Sequence, residues 1–247
     1  MKQVLIAGVS GAIGGALASR LLERDSQTRV IGLCRDPENA PDALRSHQRI
    51  TLLPWDAESS AAPGAIAEAL ESLLNREDGI DSFTYAAGLL HGPDMFPEKR
   101  LEDLDPQSMA RAFAVNATGF GLLTQALLPW LRHRAFKRVV AISAKVGSIT
   151  DNGFGGWYAY RSSKAALNML VRNLSIELPR RCKPVACVSL HPGTTESALS
   201  EPFSQSLAKL NVHTPEETAS NLLEVLDGLG ENDNGKFLSW DGTELPW

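Results

Sequence analysis

Tyr160 and Lys164 are the residues whose types and spacing most directly suggest chemistry. They lie four apart in Tyr-Arg-Ser-Ser-Lys-Ala-Ala-Leu-Asn, a helical pattern, and so share one helix face. A free tyrosine has a pKa near ~10 and is a poor base at neutral pH. A nearby ammonium stabilises the phenolate and lowers that value. Such a tyrosine could exchange a proton with an alcohol or carbonyl oxygen while hydride moves to or from a nicotinamide. Two solvated residues of an ordinary helix would show the same spacing, so the pair has to be read in context.

A second chemical signal is the turn Gly8-Val9-Ser10-Gly11-Ala12-Ile13-Gly14, set between an apolar run and a helical pattern. Glycines permit positive φ and let a phosphate approach backbone N–H groups at a helix N-terminus. The spacing is not the strict dinucleotide fingerprint, and a tight strand–helix turn without a ligand would also use glycines. Its position after the first strand favours nucleotide binding. The residue that selects the cofactor is expected about 20 positions beyond the glycines. Cys34 and then Arg35 stand there. A basic residue accommodates a 2′-phosphate, so Arg35 argues for NADP over NAD, although a solvated loop arginine is the competing reading. Asp36 could instead reach a 2′-OH, but Asp36-Pro37 also reads as turn chemistry. Asp56 is a candidate for the adenine amino group, with a loop or capping carboxylate as its alternative.

These residues need a frame to hold them. Strands are expected at Gln3–Ala7, Arg29–Cys34, Ile50–Leu53, Ser82–Ala86, Arg138–Ser143, Val185–Leu190 and Lys236–Trp240. Helices are expected at Ile13–Arg24, Ala61–Arg76, Asp105–Leu131, Tyr158–Leu178 and Pro215–Leu229. The alternation implies an α/β fold: a Rossmann-type doubly wound parallel sheet of about seven strands, with helices on both faces. Neither a repeat nor a linker divides the chain. Residues 1–247 are expected to form one NAD(P)-binding domain, with 191–214 as a substrate lid.

Composition narrows the function classes. The 247 residues are 43% apolar and 21% charged, which suits a soluble globule rather than a disordered chain. The balance of 24 basic against 29 acidic residues, net −5, disfavours nucleic-acid binding. Cys34, Cys182 and Cys187 cannot all pair with one another, which suits a reducing, cytoplasmic compartment. No spacing of cysteines and histidines suggests a metal. The charge-free stretch Ala112–Leu131 contains Asn116, Thr118, Thr124, Gln125 and Pro129, too polar for a membrane span. The expected partner is a small molecule.

Taken together, the motifs resemble those of the short-chain dehydrogenase/reductases over nearly the whole chain. Tyr160 and Lys164 match that family's Tyr-x-x-x-Lys. Ser143 in Ala-Ile-Ser-Ala matches its serine, Asn116 in Val-Asn-Ala-Thr-Gly its helix asparagine, and Pro192-Gly193 the pair that follows the sixth strand. The resemblance implies that Tyr160 is the general acid/base and that Lys164 lowers its pKa and binds the nicotinamide ribose. It implies that Ser143 donates to the reacting oxygen, and that Asn116 supports a water relaying protons to Lys164. Cofactor contacts are implied for Gly8, Ser10, Gly11, Ile13, Gly14, Arg35, Asp56, Ala87, Gly88, Lys164, Pro192, Gly193 and Thr195. Thr194 and Ser197 could join Thr195 on the carboxamide or simply bond within their own turn.

The chain also departs from the family pattern. Ala7 and Ala12 replace a threonine and a glycine of the usual turn, and Tyr85-Ala86-Ala87-Gly88 lacks two asparagines expected to brace the sheet. The gap of 17 residues from Ser143 to Tyr160 is long and carries the loop 151–156. That insertion and the C-terminal segment resemble the C-factor-like subgroup. The implied function is NADP-dependent hydride transfer between nicotinamide and a carbonyl or alcohol substrate. The alternative is an NADP-binding signalling or interaction protein with incidental turnover. Leu89, Leu90, His91, Phe154, Trp157 and 194–210 are expected around an apolar substrate, although His91 reads first as a solvated loop residue. A homodimer or homotetramer is implied through the 105–131 helix and the helix after it.

Overall fold

A computed structural model describes residues 2–75, 79–203 and 211–247. Seven strands form one parallel sheet: β1 Lys2–Ala7, β2 Thr28–Cys34, β3 Ile50–Pro54, β4 Ser82–Tyr85, β5 Lys137–Ile142, β6 Val185–His191 and, last in the chain, β9 Phe237–Ser239. Their order is β3-β2-β1-β4-β5-β6-β9. The order reverses between β1 and β4, and ligands of doubly wound sheets bind at the strand ends beside such a switch point. Two short strands, β7 Thr194–Thr195 and β8 Val212–His213, pair on their own outside this sheet. Strand limits fall within three residues of those expected. The exception in kind is the pair β7–β8, too short to show alternation.

All strands of the sheet but the edge strand β3 are buried on both faces, as parallel strands are when helices cover each side. One face, with Leu5, Leu33, Phe83, Tyr85 and Val139, packs against α3 Ala62–Leu73, α5 Gly119–Leu127 and α6 Tyr158–Cys182. The other, with Val4, Ile6, Val140 and Val188, packs against α1 Ala12–Arg24 and the helix Pro215–Gly228. The two cores follow the period-2 alternation of each strand.

The long helix expected over Asp105–Leu131 is broken into pieces. It runs as α4 Pro106–Phe113, a π turn at Ala114–Thr118, then α5, and tightens into a 3-10 turn at Leu128–Leu131. The π turn carries Asn116, and π turns inside helices commonly mark functional positions. The expected end of the Ala61–Arg76 helix at Arg76, and positions 204–210 of the expected 191–214 lid, lie outside the described residues. Among the described residues no helix is long and apolar enough to cross a membrane, and no cluster of His, Cys, Asp or Glu could hold a metal ion. All three cysteines are free and buried.

Candidate active site

Tyr160 and Lys164 occupy the first turns of α6, and both are buried. Lys164 Nζ donates to the Ile142 carbonyl at the end of β5, 2.9 Å away, and lies 5.8 Å from the centre of the Tyr160 ring. The helix thus delivers the pair to the C-terminal edge of the sheet, beside the switch point. Gly147 lets α6 come close: a Cβ there would stand 2.7 Å from Lys164 Cβ.

The electrostatics differ from the expectation in one respect. Burial pushes the Tyr160 phenol up to about 12 rather than below its ordinary value. Burial pushes the Lys164 ammonium down to about 8. Desolvation of the phenolate outweighs the attraction of an ammonium held at ring distance.

Asn116 is buried, and its amide is fully engaged. Its Oδ1 accepts from the Leu89 N–H at 2.7 Å, and its Nδ2 donates to the Leu89 carbonyl at 2.8 Å and to Ser163 Oγ at 2.9 Å. The side chain therefore clips the loop after β4 to α6. Gly88 sits between this clip and the lysine: a Cβ there would stand 3.7 Å from Asn116 Oδ1 and 3.8 Å from Lys164 Nζ.

Ser143 stands directly after β5, at the C-terminal edge of the sheet. Its hydroxyl donates to Asn168 Oδ1 at 2.7 Å, and both residues are buried. Asn168 stands four residues beyond Lys164, one helical turn further along α6. Among the described residues no hydrogen bond joins Ser143 to Tyr160.

The Gly-rich turn forms a cradle. Gly8 has φ +88°, and a Cβ there would stand 2.7 Å from the Ala87 nitrogen. A Cβ on Gly14 would stand 2.3 Å from the Gly8 carbonyl oxygen. The turn and the loop after β4 therefore pack backbone to backbone. α1 begins at Ala12 behind Gly11 with no side-chain cap. Its first amides, with Ile13 and Gly14 among them, lack helical acceptors, and Ser10 is exposed beside them. This arrangement suits the diphosphate of a dinucleotide.

At the end of β2, Arg35 is exposed and makes no ion pair among the described residues. Asp36 is taken up by its own turn, accepting from the Glu38 N–H at 3.0 Å and from Asn39 Nδ2 at 2.8 Å. Asp56 is half-buried after β3 and accepts from the Glu58 N–H at 3.0 Å. Pro192 and Gly193 follow β6, and Gly193 has φ +79°. The Thr195 hydroxyl pairs with Thr218 Oγ1 at 2.9 Å. Ser197 bonds locally with Ser200.

On the substrate side, Trp157 packs edge-on to Tyr160, with ring centres 6.2 Å apart, and lies 5.0 Å from Phe203. His91 is half-buried and tied to the loop after β7: its Nε2 reaches the Ala198 and Leu199 carbonyls at 3.1 and 3.2 Å. Leu90 is buried. Phe154 is 96% exposed, so it does not line this surface.

Three supporting residues had no motif to announce them. Tyr85 is buried and donates to the Val115 carbonyl at 2.5 Å, bracing the π turn where the asparagines of the usual motif are missing. Asn168 receives Ser143, and Ser163 receives Asn116. The helical spacing of Ser163 and Asn168 from Tyr160 could have suggested them, but their partners are distant in sequence.

The family model for short chain dehydrogenases matches residues 2–208. C-signal of Myxococcus xanthus is 40% identical over 147 residues, covering 60% of this chain and 83% of that protein. The 1-hydroxy-2-glutathionyl-2-methyl-3-butene dehydrogenase of a Rhodococcus species is 29% identical over 250 residues, the whole of both chains. Among solved structures, the carbonyl reductase Sniffer of D. melanogaster superposes with TM-score 0.86 at 27% identity, covering all of both chains. The NADPH-bound carbonyl reductase from chicken fatty liver gives TM-score 0.88 at 27% identity, covering 100% of this chain and 94% of that one. With its sheet order, its Gly-rich cradle and its buried Tyr160/Lys164 pair, the chain belongs to the short chain dehydrogenase family of oxidoreductases.

Proposed function

We propose that the chain is an NADP-dependent reductase of carbonyl compounds, with Tyr160 as the acid. The observation that carries this reading is the buried pair at the head of α6, with Lys164 anchored on Ile142 and its ammonium 5.8 Å from the centre of the Tyr160 ring. A carbonyl oxygen that becomes an alkoxide must take up a proton, and a phenol that keeps its proton at neutral pH is the donor this direction needs. The cofactor would supply the hydride.

The chain's own residues divide the remaining work. Gly8, Ser10, Gly11, Ile13 and Gly14 would bind the diphosphate through backbone amides. Arg35 would hold the 2′-phosphate, a role supported by its lack of an ion-pair partner and by the engagement of Asp36 in its turn. The NADPH named with the chicken carbonyl reductase supports the same choice. Asp56 would meet the adenine, and Ala87, Gly88, Pro192, Gly193 and Thr195 would line the nicotinamide half. Lys164 would bind the ribose and, while charged, favour the developing tyrosinate. Asn116 Oδ1 and Lys164 Nζ face the same space beside Gly88, which supports a proton relay there. Ser143 braces α6 against β5 through Asn168.

The surface around Trp157, Phe203, Leu90 and His91 is apolar and aromatic, so an aldehyde, ketone or quinone with a hydrophobic body fits it best. A homodimer or homotetramer is proposed through α5 and α6, where Leu122, Met169 and Ile176 are exposed. The likeness to C-signal supports a second reading, an NADP-binding signalling protein with incidental turnover. NADPH oxidation against a panel of aldehydes, ketones and quinones, with NADH in parallel, tests the first reading. The second is favoured if a cellular phenotype persists in Tyr160→Phe protein.

A further inference from the structure

The helix that carries Tyr160 starts badly on its own terms. Tyr160 is the third residue of α6, within the turn where helices fray, because the first amides lack internal acceptors. The residue before the helix, Trp157, adopts the left-handed conformation, φ 50° and ψ 45°, and supplies no side-chain cap. Neither Ser, Thr, Asp nor Asn occupies that position to accept from the first turn.

The missing acceptors come from another element. Glu98, in the loop between β4 and α4, is buried. Its backbone carbonyl accepts from the Trp157 N–H at 2.5 Å, and its Oε2 accepts from the Ala159 N–H at 3.2 Å. One residue thus holds the amides on either side of Tyr158, directly before Tyr160. Gly156, with φ +65°, brings the chain against the same carbonyl: a Cβ there would stand 3.4 Å from it. A carboxylate at a helix N-terminus gains from the helix dipole as well as from the charge-assisted bond. The other oxygen, Oε1, is buried without a hydrogen-bond partner among the described residues, an arrangement that costs stability. Among the described residues only one of the two Glu98 side-chain oxygens is engaged.

We propose that Glu98 is a positioning residue for Tyr160, capping α6 from the β4–α4 loop and fixing where the phenol stands. The inference rests on the reading of Tyr160 as the acid. Displacement of a catalytic group by ~1 Å can reduce rate by about 10²-fold, so a loosened first turn acts on kcat rather than on binding.

The test compares wild type with Glu98→Ala, Glu98→Gln, Glu98→Asp and Tyr160→Phe. It uses NADPH and the carbonyl compound of the panel that wild type reduces fastest, with NADPH affinity read from tryptophan fluorescence. Glu98→Ala is expected to lower kcat by about 10- to 100-fold, with KM and NADPH affinity within about twofold of wild type. Glu98→Gln keeps an oxygen for the Ala159 amide and is expected to retain kcat within about threefold. Glu98→Asp, which withdraws the carboxylate by one methylene, should fall between them and serves if Glu98→Ala does not fold. The proposal is overturned by wild-type kcat in Glu98→Ala or Glu98→Asp, by equal losses in Glu98→Gln and Glu98→Ala, or by a kcat loss matched by lost NADPH affinity. Wild-type activity in Tyr160→Phe overturns the reaction reading and this proposal together, whereas an inactive Tyr160→Phe beside a fully active Glu98→Ala overturns this proposal alone.

Discussion

Ser143 and Asn168 are joined by a 2.7 Å hydrogen bond buried between the end of β5 and the middle of α6. The bond takes the serine's only hydrogen and turns it along the helix, past Lys164. On the proposed reading, this serine holds the helix that bears the acid.

It follows that Ser143→Ala should be a milder lesion than Tyr160→Phe. Loss of one buried partner should lower stability by about 1–3 kcal/mol, as Asn168 Oδ1 is left unsatisfied. The expected kcat loss is at most about tenfold, against about 10² or more for loss of the proton donor. Steady-state rates and thermal melts of both variants decide the matter, and equal kcat losses would return the oxygen-binding role to Ser143.

A second expectation concerns pH. Lys164 is charged below about 8 and neutral above it. Because kcat/KM for NADPH reports the cofactor-free enzyme, that parameter in carbonyl reduction should be level below about 8 and decline above it. Lys164→Met should be slow and lack this limb. A profile that stays level to pH ~9.5 would contradict the role of the ammonium. Stability should move the other way. With the folded value near 8 and the unfolded value near ~10.4, the unfolded chain binds more protons in that window, so stability rises across it.

Arg35 carries the third. Exposed at the end of β2 and without an ion pair among the described residues, it is available to a 2′-phosphate. Arg35→Ala should weaken NADPH binding by about tenfold or more while changing NADH little, since a charge-assisted contact contributes about 1.5–3 kcal/mol. Fluorescence titrations with both cofactors measure the two losses, and equal losses would refute the assignment.

Asn116 carries the fourth. Its three buried bonds to Leu89 and Ser163 make it a structural clip whatever part it takes in proton movement. Asn116→Ala should destabilise the fold by at least about 2 kcal/mol, because backbone groups of Leu89 are left unsatisfied. For a chain of 247 residues that corresponds to a fall in Tm of about 4–8 °C. An unchanged melting temperature would show that water or a neighbour replaces the clip.

What could be read from the sequence was what depends on local pattern. Apolar runs marked the strands, and the spacing of Tyr160 and Lys164 placed them on one helix face. Local chemistry also placed Asp36, since Asp36-Pro37 forms the turn its residues suggest. Long-range pairings stayed hidden. Nothing near Ser143 in sequence points to Asn168, 25 residues on, and nothing near Glu98 points to Ala159, 61 residues on. The raised Tyr160 pKa was missed for a related reason. Spacing shows that a lysine is near, but only packing shows how much water has been removed. Phe154 failed in the opposite sense, because an aromatic residue in a loop beside the site carries no mark of which way it points.

The central claim is that Tyr160 delivers the proton during carbonyl reduction with NADPH. The most direct measurement is NADPH oxidation by wild type and Tyr160→Phe at saturating carbonyl substrate, with NADPH affinity measured alongside. The account predicts robust turnover in wild type and a loss of about 10² or more in Tyr160→Phe, with NADPH affinity preserved. Equal turnover by the two proteins would contradict it.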